Sequence, residues 1–394
     1  MNNKQLATIF SRHQLNNHCR TFYSIVQTLL NHDCVVHCIC ARDLELPVRN
    51  PDFVQHRVPL PRRLRRGGVF WLLFFFSAAF TLAKTVRRYK IGTILLTRCH
   101  YSVVAFPVAL VCRIPVVLLL DAAPWDERRE TVKSLPQKGF FAVLDRFGLW
   151  SAGRILVSTE SLRDEIARHV PSVRRRISII RHSIVLPKEV RVDEAGEIDI
   201  DSWRDWLNRA INRKRALAEK YQLPDKWLFV FSSADLAGRK NLDLLLRALS
   251  AAENDRMAVF MWGGQTERNF LQTMTVGLGL YDLITFVDSS DDFIELASGC
   301  DLFVQSSNFS GNSRMLLEAL GFGIAAIAAD TPESREVLKR DELLFRPAHV
   351  QELVNKLQLV GNIRSELALL RRLSQERAFE LYNNWGEELF RQLN

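Results

Sequence analysis

The stretch "CDLFVQSSNFSGNSRMLLEALGFG", residues 300–323, sets the reading of the whole chain. Leu302, Phe303 and Val304 predict a short buried strand. A loop of Ser, Asn and Gly follows, and Arg314 opens an apolar helix. Strand, small-residue loop and helix in that order form the unit of a parallel α/β sheet. In such sheets ligands sit at strand carboxyl ends, against helix N-termini. Glu318 lies about one turn into the helix, between Leu317 and Ala319. A carboxylate in an apolar run is costly without a partner, so it is a candidate to accept hydrogen bonds from ribose hydroxyls. The loop, with Ser306, Ser307, Asn308, Gly311, Asn312 and Ser313, offers backbone N–H groups suited to phosphate.

Working outward, the same strand–helix series starts at Trp227 and runs through "WLFVFSS", "MAVFMWGG", "LITFVD" and "IAAIAAD". Two more strand ends stand out. In "FSSADLAGRKNLDLLL", Arg239 and Lys240 sit at the mouth of a helix and form a candidate diphosphate clamp. In "FMWGGQ", Gly263 and Gly264 let a backbone approach a ligand closely. Taken singly, the cations read equally as exposed loop charges and the glycines as a turn. In this order together they point to a nucleotide site.

The first third also alternates strands ("QLATIFS", "CVVHCICA", "IGTILLTR", "IPVVLLLDA", "RILVST", "RISIIRHSI") with helical patterns. Continuous apolar strands between helices predict a parallel sheet covered on both faces. The acidic, apolar-poor segment from Pro187 reads as a connection. The expected architecture is two doubly wound domains: residues 1–185, a connection and helix at 186–226, a second domain at 227–372, and a helical tail at 373–394.

Bulk properties agree with a globular chain: 394 residues, 47% hydrophobic and 25% charged. The net charge of +9 suits an acidic partner. With no aromatic–basic RNA motif and no helix-turn-helix pattern, nucleic acid is not expected. The seven Cys include no C-x-x-C pair and suit reduced, buried thiols; no metal site is expected. The N-terminus shows no signal-peptide pattern. The most apolar run, residues 69–83, falls short of the roughly 20 residues that span a bilayer. Arg62, Arg63, Arg65 and Arg66 precede it and Trp71 lies within it. Contact with an anionic membrane surface and an ordinary solvated loop before a core helix both remain open.

The motif order resembles the retaining glycosyltransferases of the GT-B fold in family four, glycosyltransferase group 1. "GRKN", "WGG", "CDLFVQSS", "SGNSRMLLEALGFGIAAIAAD" and "ESREVL" fall in the family's order, and "YNNW" resembles its closing Phe-Ser-Trp segment. The match is good over about residues 227–390 and schematic over 1–185. It implies two Rossmann-like domains facing a cleft, with the C-terminal helix packing back on the first. It further implies Lys240 as the lysine that neutralises the donor diphosphate and Glu318 as the second glutamate of Glu-x7-Glu, holding ribose; Arg239, as compensation for an Arg the family carries, is a reading of the residues and not of the resemblance. Gly263 and Gly264 match the turn beside the base. The donor loop, matching Gly311, Asn312, Ser313 and Arg314, follows, and Glu336 matches a late glutamate. Asp121 falls where many members place a His, and some an Asp, near the reacting sugar; His100, placed after a strand, reads from its own position equally as a second candidate facing the cleft and as a core or surface histidine.

The chain departs from the family pattern. Ser310 stands where the first glutamate belongs, and Ala234 or Asp235 replaces a phosphate-binding Arg. His182-Ser183 replaces an Asn-Gly near the hinge, and "RHQLNNHCR" replaces the first strand's Gly-Gly loop. The expected activity is metal-independent, hexosyltransferase-like transfer, with retention, from a nucleotide-diphosphate sugar to a glycan or lipid-linked glycan in bacterial surface polysaccharide assembly. No other cofactor is expected. The alternative is a weak or inactive homologue acting as a binding or scaffold subunit. The expected location is cytoplasmic, peripheral on the inner membrane face. The oligomeric state is not legible.

Overall fold

The computed structural model describes residues 4–10, 17–41, 48–58, 68–125, 135–193, 197–233, 241–262, 268–287, 293–307 and 314–393. The chain divides into two compact units: Met1–Arg181 with Trp385–Asn394, and His182–Asn384.

In the first unit the strands are β1 (Gln5–Phe10), β2 (Val35–Ala41), β3 (Phe53–Val58), β4 (Thr93–Leu96), β5 (Val116–Leu120), β6 (Arg154–Val157) and β7 (Ile177–Ile179). They pair in parallel in the spatial order β3-β2-β1-β4-β5-β6-β7. The helices are α1 (Asn17–Asn31), α2 (Gly68–Tyr89), α3 (Ser102–Cys112), α4 (Leu135–Ser151) and α5 (Glu160–His169). Strand β5 shows why both faces are covered. Val116, Leu118 and Leu120 enter the core shared with α2 and α3, while Val117 and Leu119 enter the core shared with α1. Side chains alternate along a strand, so an unbroken apolar run needs helices on both sides.

The second unit repeats the plan. Its strands are β8 (Leu228–Ser233), β9 (Met257–Trp262), β10 (Ile284–Val287), β11 (Leu302–Gln305), β12 (Ala325–Ala329) and β13 (Leu344–Phe345). All pairs are parallel, in the order β10-β9-β8-β11-β12-β13. The helices are α6 (Ile200–Asn208), α7 (Ala210–Lys220), α8 (Leu242–Ala252), α9 (Arg268–Gly277), α10 (Phe293–Ser298), α11 (Arg314–Gly321), α12 (Pro332–Leu338), α13 (Val350–Asn362) and α14 (Arg364–Leu381). Phe229, Phe231, Phe260 and Phe303 are fully buried in this core, each side chain contributing about 2–3 kcal/mol of apolar burial.

The tail read from the sequence as one element is two. Helix α14 stays with the second unit, the chain extends at Tyr382, and α15 (Trp385–Leu393) joins the first. There Trp385, Leu389 and Leu393 are buried with Leu6, Phe22 and Leu29. Lys4 and Arg154 donate to the carbonyls of Leu393 and Gln392 at its C-terminal end, satisfying groups the helix cannot pair itself. Strands β3 and β13 are absent from the sequence reading. Both lie at sheet edges. In β3, Val54, Gln55 and His56 are only half-buried and Arg57 is exposed, so the apolar signal of a central strand is missing.

Each sheet reverses its strand order once, between β1 and β4 and between β8 and β11. At the second reversal the ladder is short: Val230 pairs with Leu302 and Phe231 with Phe303. Asp301 reinforces it at the amino end. Its N–H donates to the Phe229 carbonyl at 2.8 Å, and its Oδ2 accepts from the Phe229 N–H at 2.9 Å. The same carboxylate pairs with Lys214 of α7 at 2.6 Å and Arg371 of α14 at 3.3 Å. Removing it leaves Lys214 largely buried without its partner. Asp301→Ala is expected to cost about 3–5 kcal/mol, lowering the second unit's melting midpoint by roughly 10 °C in calorimetry. A midpoint unchanged from wild type would show that the clamp carries no load.

A histidine pair, His37 buried and His56 half-buried, marks the other sheet. His37 Nδ1 lies 2.9 Å from His56 Nε2, and His37 Nε2 lies 2.7 Å from Gln5 Oε1. Burial, then the His56 charge, pushes the His37 imidazole down to about 4. The unfolded chain therefore takes up a proton that the folded chain refuses. Stability is complete above the ordinary histidine value near 6.5 and falls as pH drops from there toward 4, by up to about 3 kcal/mol. Urea melts between neutral pH and pH about 4.5 should show this slope, and His37→Gln should flatten it; an identical slope in the variant would assign the loss to other groups.

Candidate active site

The carboxyl edge of the second sheet is the place to look, because the strands on either side of a reversal send their loops apart and leave a crevice. Strands β9, β8 and β11 are neighbours. Their carboxyl ends lead into the segments that hold Gly263 and Gly264, Arg239 and Lys240, and Ser310, Gly311, Asn312 and Ser313 respectively. All eight residues lie outside the described residues. What is described is the frame that bears them.

That frame turns polar at its carboxyl end. Ser232 and Ser233 end β8, Gln305 ends β11 and Ser306 follows; Ser232, Ser233 and Ser306 are buried. Ser232 Oγ donates to the Val304 carbonyl at 2.9 Å, holding β8 to β11 where their ladder stops. Gln305 Nε2 lies 3.2 Å from Ser334 Oγ of α12, so the end of β11 is also tied to the helix after β12. Asn241, directly after Lys240, has φ 51°, in the left-handed region. Asn tolerates that conformation better than most residues and it turns the chain sharply into α8.

Helix α11 carries Glu318 and is seated from its far end. Trp203 and Trp206 of α6 donate their indole N–H groups to the carbonyls of Gly321 and Phe322, at 3.2 and 3.0 Å. Gly323, with φ +77°, lets the chain leave the helix with the Ile324 N–H on the Ala319 carbonyl. At Gly321 a Cβ would meet the Val185 carbonyl oxygen at 2.2 Å, so any side chain there would push α11 off its seat. Sequence reading passed over both tryptophans, whose only signal was their apolar spacing.

Glu318 is 2% exposed, and its Oε1 lies 3.2 Å from Nε of Arg314, one turn earlier at the helix start. The structure thus brings together two of the residues named from the sequence, as an ion pair in the first turn and a half of α11. Glu336 is half-buried on α12, and its backbone carbonyl accepts from Arg377. Glu333, in the first turn of the same helix, is a second buried carboxylate, at 3% exposure; it was not picked out from the sequence.

In the first unit, His100 sits in a short 3-10 turn (Cys99–Tyr101) following β4, its ring against Tyr101 at 4.3 Å. Asp121 follows β5 directly, half-buried. Since β4 and β5 pair in parallel, both residues lie at the same edge of the sheet. Gly148 on α4 holds the turn close: a Cβ there would meet the Cys99 carbonyl oxygen at 2.5 Å.

Known proteins share this architecture. An Anabaena protein, Alr3699/HepE, solved with UDP and glucose, superposes with a TM-score of 0.75 over 99% of each chain at 13% identity. The fold is therefore GT-B. Residues 213–377 match the model of the glycosyl transferases group 1, and this segment, which contains the whole carboxyl edge just described, belongs to that family. Two Escherichia coli proteins resemble parts of the chain. The serotype-specific mannosyltransferase WbdA is 31% identical over 155 residues, 37% of this chain and 19% of its own length. The O-antigen biosynthesis glycosyltransferase WclY is 22% identical over 188 residues, 46% of this chain and 53% of its own length. The chain thus spans only a fifth to a half of these relatives.

If Arg314 and Glu318 stabilise one another, their substitutions will not add. A double-mutant cycle with Arg314→Met and Glu318→Gln should give a coupling of about 1 kcal/mol in unfolding free energy; strict additivity would mean the pair is not formed.

Proposed function

We propose that the protein is a retaining glycosyltransferase that moves a sugar from a nucleotide-diphosphate sugar to a glycan or lipid-linked glycan, in the assembly of a bacterial surface polysaccharide. One observation carries the reading. Three neighbouring strands of the second sheet end at one edge, the chain runs on from them into the Arg-Lys, Gly-Gly and Ser-Gly-Asn-Ser segments, and Glu318 is buried on the helix that follows the last. WbdA and WclY, by name a mannosyltransferase and an O-antigen glycosyltransferase, support the reaction and the setting. HepE, solved with UDP and glucose, supports a nucleotide-sugar donor.

On this reading the leaving diphosphate gains charge in the transition state, and Lys240 with Arg239 stabilises it, together with backbone N–H groups of the following helix. Glu318 accepts hydrogen bonds from the ribose. Gly263 and Gly264 admit the base. Glu336 stays in the donor set as the sequence resemblance places it. Asp121, or His100 at the neighbouring strand end, orients or deprotonates the acceptor hydroxyl. Same-face attack needs neither an enzymic nucleophile nor a metal, since the cationic side chains supply the charge.

The second reading, a binding or scaffold subunit with weak or absent turnover, is favoured by one feature: Ser310 and Ala234-Asp235 stand where the family carries an acid and a cation. A thermal-shift screen with nucleotide-diphosphate sugars, followed by product analysis, separates the two. Transfer is expected with the anomeric configuration kept. Lys240→Ala should lower the rate at least about 100-fold with the melting profile of the free protein unchanged. Stabilisation by a nucleotide sugar without any product would favour the scaffold reading, and full activity in Lys240→Ala would remove the clamp assignment.

A further inference from the structure

We propose that the outer face of α2, α3 and α4 in the first unit docks on an anionic lipid bilayer and inserts its apolar side chains at the headgroup level. The inference goes beyond the transferase reading and is independent of it, since it stands on unit one alone.

Helix α2 has two apolar stripes. Phe70, Phe74, Ala78 and Leu82 are buried toward the sheet. On the other side, Leu72, Phe76 and Phe80 follow one another every four residues, and Phe76 and Phe80 are 73% and 74% exposed. A helix that only covers a sheet carries polar residues there. Here the stripe turns polar only at Lys84, one turn further on, which is exposed.

The neighbouring helices extend the surface. Helix α3 packs against both α2 and α4. On α3, Leu110 and Val111 are exposed while Val104, Ala105, Val108 and Ala109 are buried. On α4, Phe140, Val143 and Trp150 are exposed along one side. Phe106 of α3 meets both Phe147 and Trp150 of α4, at ring distances of 5.6 and 5.8 Å. The aromatic groups thus bridge the two helices, and the apolar positions form a patch over three helices rather than isolated side chains. Patches of this kind mark interaction sites.

Charge selects the occupant. Helices α2 and α3 contain no acidic residue, and Asp145, the sole acid of α4, is buried. Exposed cations frame the patch: Lys84, Arg87, Arg88 and Lys90 at the end of α2, Arg113 after α3, and Arg146 on α4. A second copy of the chain meeting this face across a two-fold axis would set like charges against each other. An anionic bilayer offers apolar depth and negative headgroups in one surface, which is what the face needs. Among the described residues no helix is long and apolar enough to cross a membrane. The geometry therefore fits insertion at the interface, with the helices lying along it.

Flotation of the full chain with vesicles tests this. Vesicles of phosphatidylethanolamine and phosphatidylglycerol are compared with pure phosphatidylcholine, at about 0.1 M salt, where exposed charges still act over about 10 Å. Wild type is expected to float at least about tenfold better with the anionic vesicles. Phe76→Ser/Phe80→Ser/Phe140→Ser should lose about tenfold or more of that binding and keep the wild-type melting profile, because these side chains are exposed. Lys84→Ser/Arg87→Ser/Arg88→Ser should weaken binding to anionic vesicles only. Equal flotation of the aromatic variant and wild type overturns the proposal. So does an absence of flotation, whether sedimentation then shows a monomer or a dimer that the aromatic variant breaks; the dimer would give the face to a second copy.

Discussion

The second unit depends on the pairing of β8 with β11. These two strands flank the reversal of strand order, so no short crossover helix ties one directly to the other, and their ladder is brief. They are held instead at both ends. Asp301 locks the amino end through backbone and carboxylate bonds to Phe229, with Lys214 and Arg371 compensating its charge. Ser232 holds the carboxyl end through the Val304 carbonyl. Strands fixed at the base and joined by one hydroxyl at the tip can send their loops apart while their carboxyl ends stay in register. That is the geometric condition for a crevice at a reversal point.

The helix that carries Glu318 follows the same logic of distant support. Its first turns carry Glu318, yet what fixes it lies at the other end: two indole donors from α6, a left-handed glycine and a backbone contact at Gly321. Residues far along the sequence, in α6 near the start of the second unit, thereby set the position of a carboxylate in the proposed donor site. Placement of this kind lets the loop vary in sequence without moving the acid.

Much of this was legible in the residues. Strong apolar runs such as "VVLLL" and "LFVFSS" gave strands because their burial on both faces leaves no polar position to confuse the pattern. The motif order "GRKN", "WGG", "SGNSRMLLEAL" led to the family that the match over residues 213–377 establishes. What escaped were features whose cause is tertiary. Edge strand β3 keeps half-buried Gln55 and His56 and so looks like loop. Strand β13 is two residues long and exists through its pairing with β12. The tail divides at Tyr382 because α15 completes the first unit's core, a partner no local pattern reveals. Trp203 and Trp206 read as ordinary apolar positions until the carbonyls they serve are seen.

The Arg314–Glu318 pair changes how the loss at Ser310 is weighed on the proposed function. An ion pair is electrically neutral at a distance, so the buried glutamate adds little net negative charge where a diphosphate would lie. With Ser at 310 the loop lacks a second acid that would repel the same phosphates. On the proposed function, the acid lost at Ser310 therefore offsets in charge the cation lost near Asp235. What the serine cannot supply is an ionised acceptor for sugar hydroxyls. A neutral hydroxyl makes weaker hydrogen bonds than a carboxylate, by roughly a factor of two. The departure from the family pattern therefore bears first on which sugar is held and how firmly, and only second on whether the nucleotide is held at all.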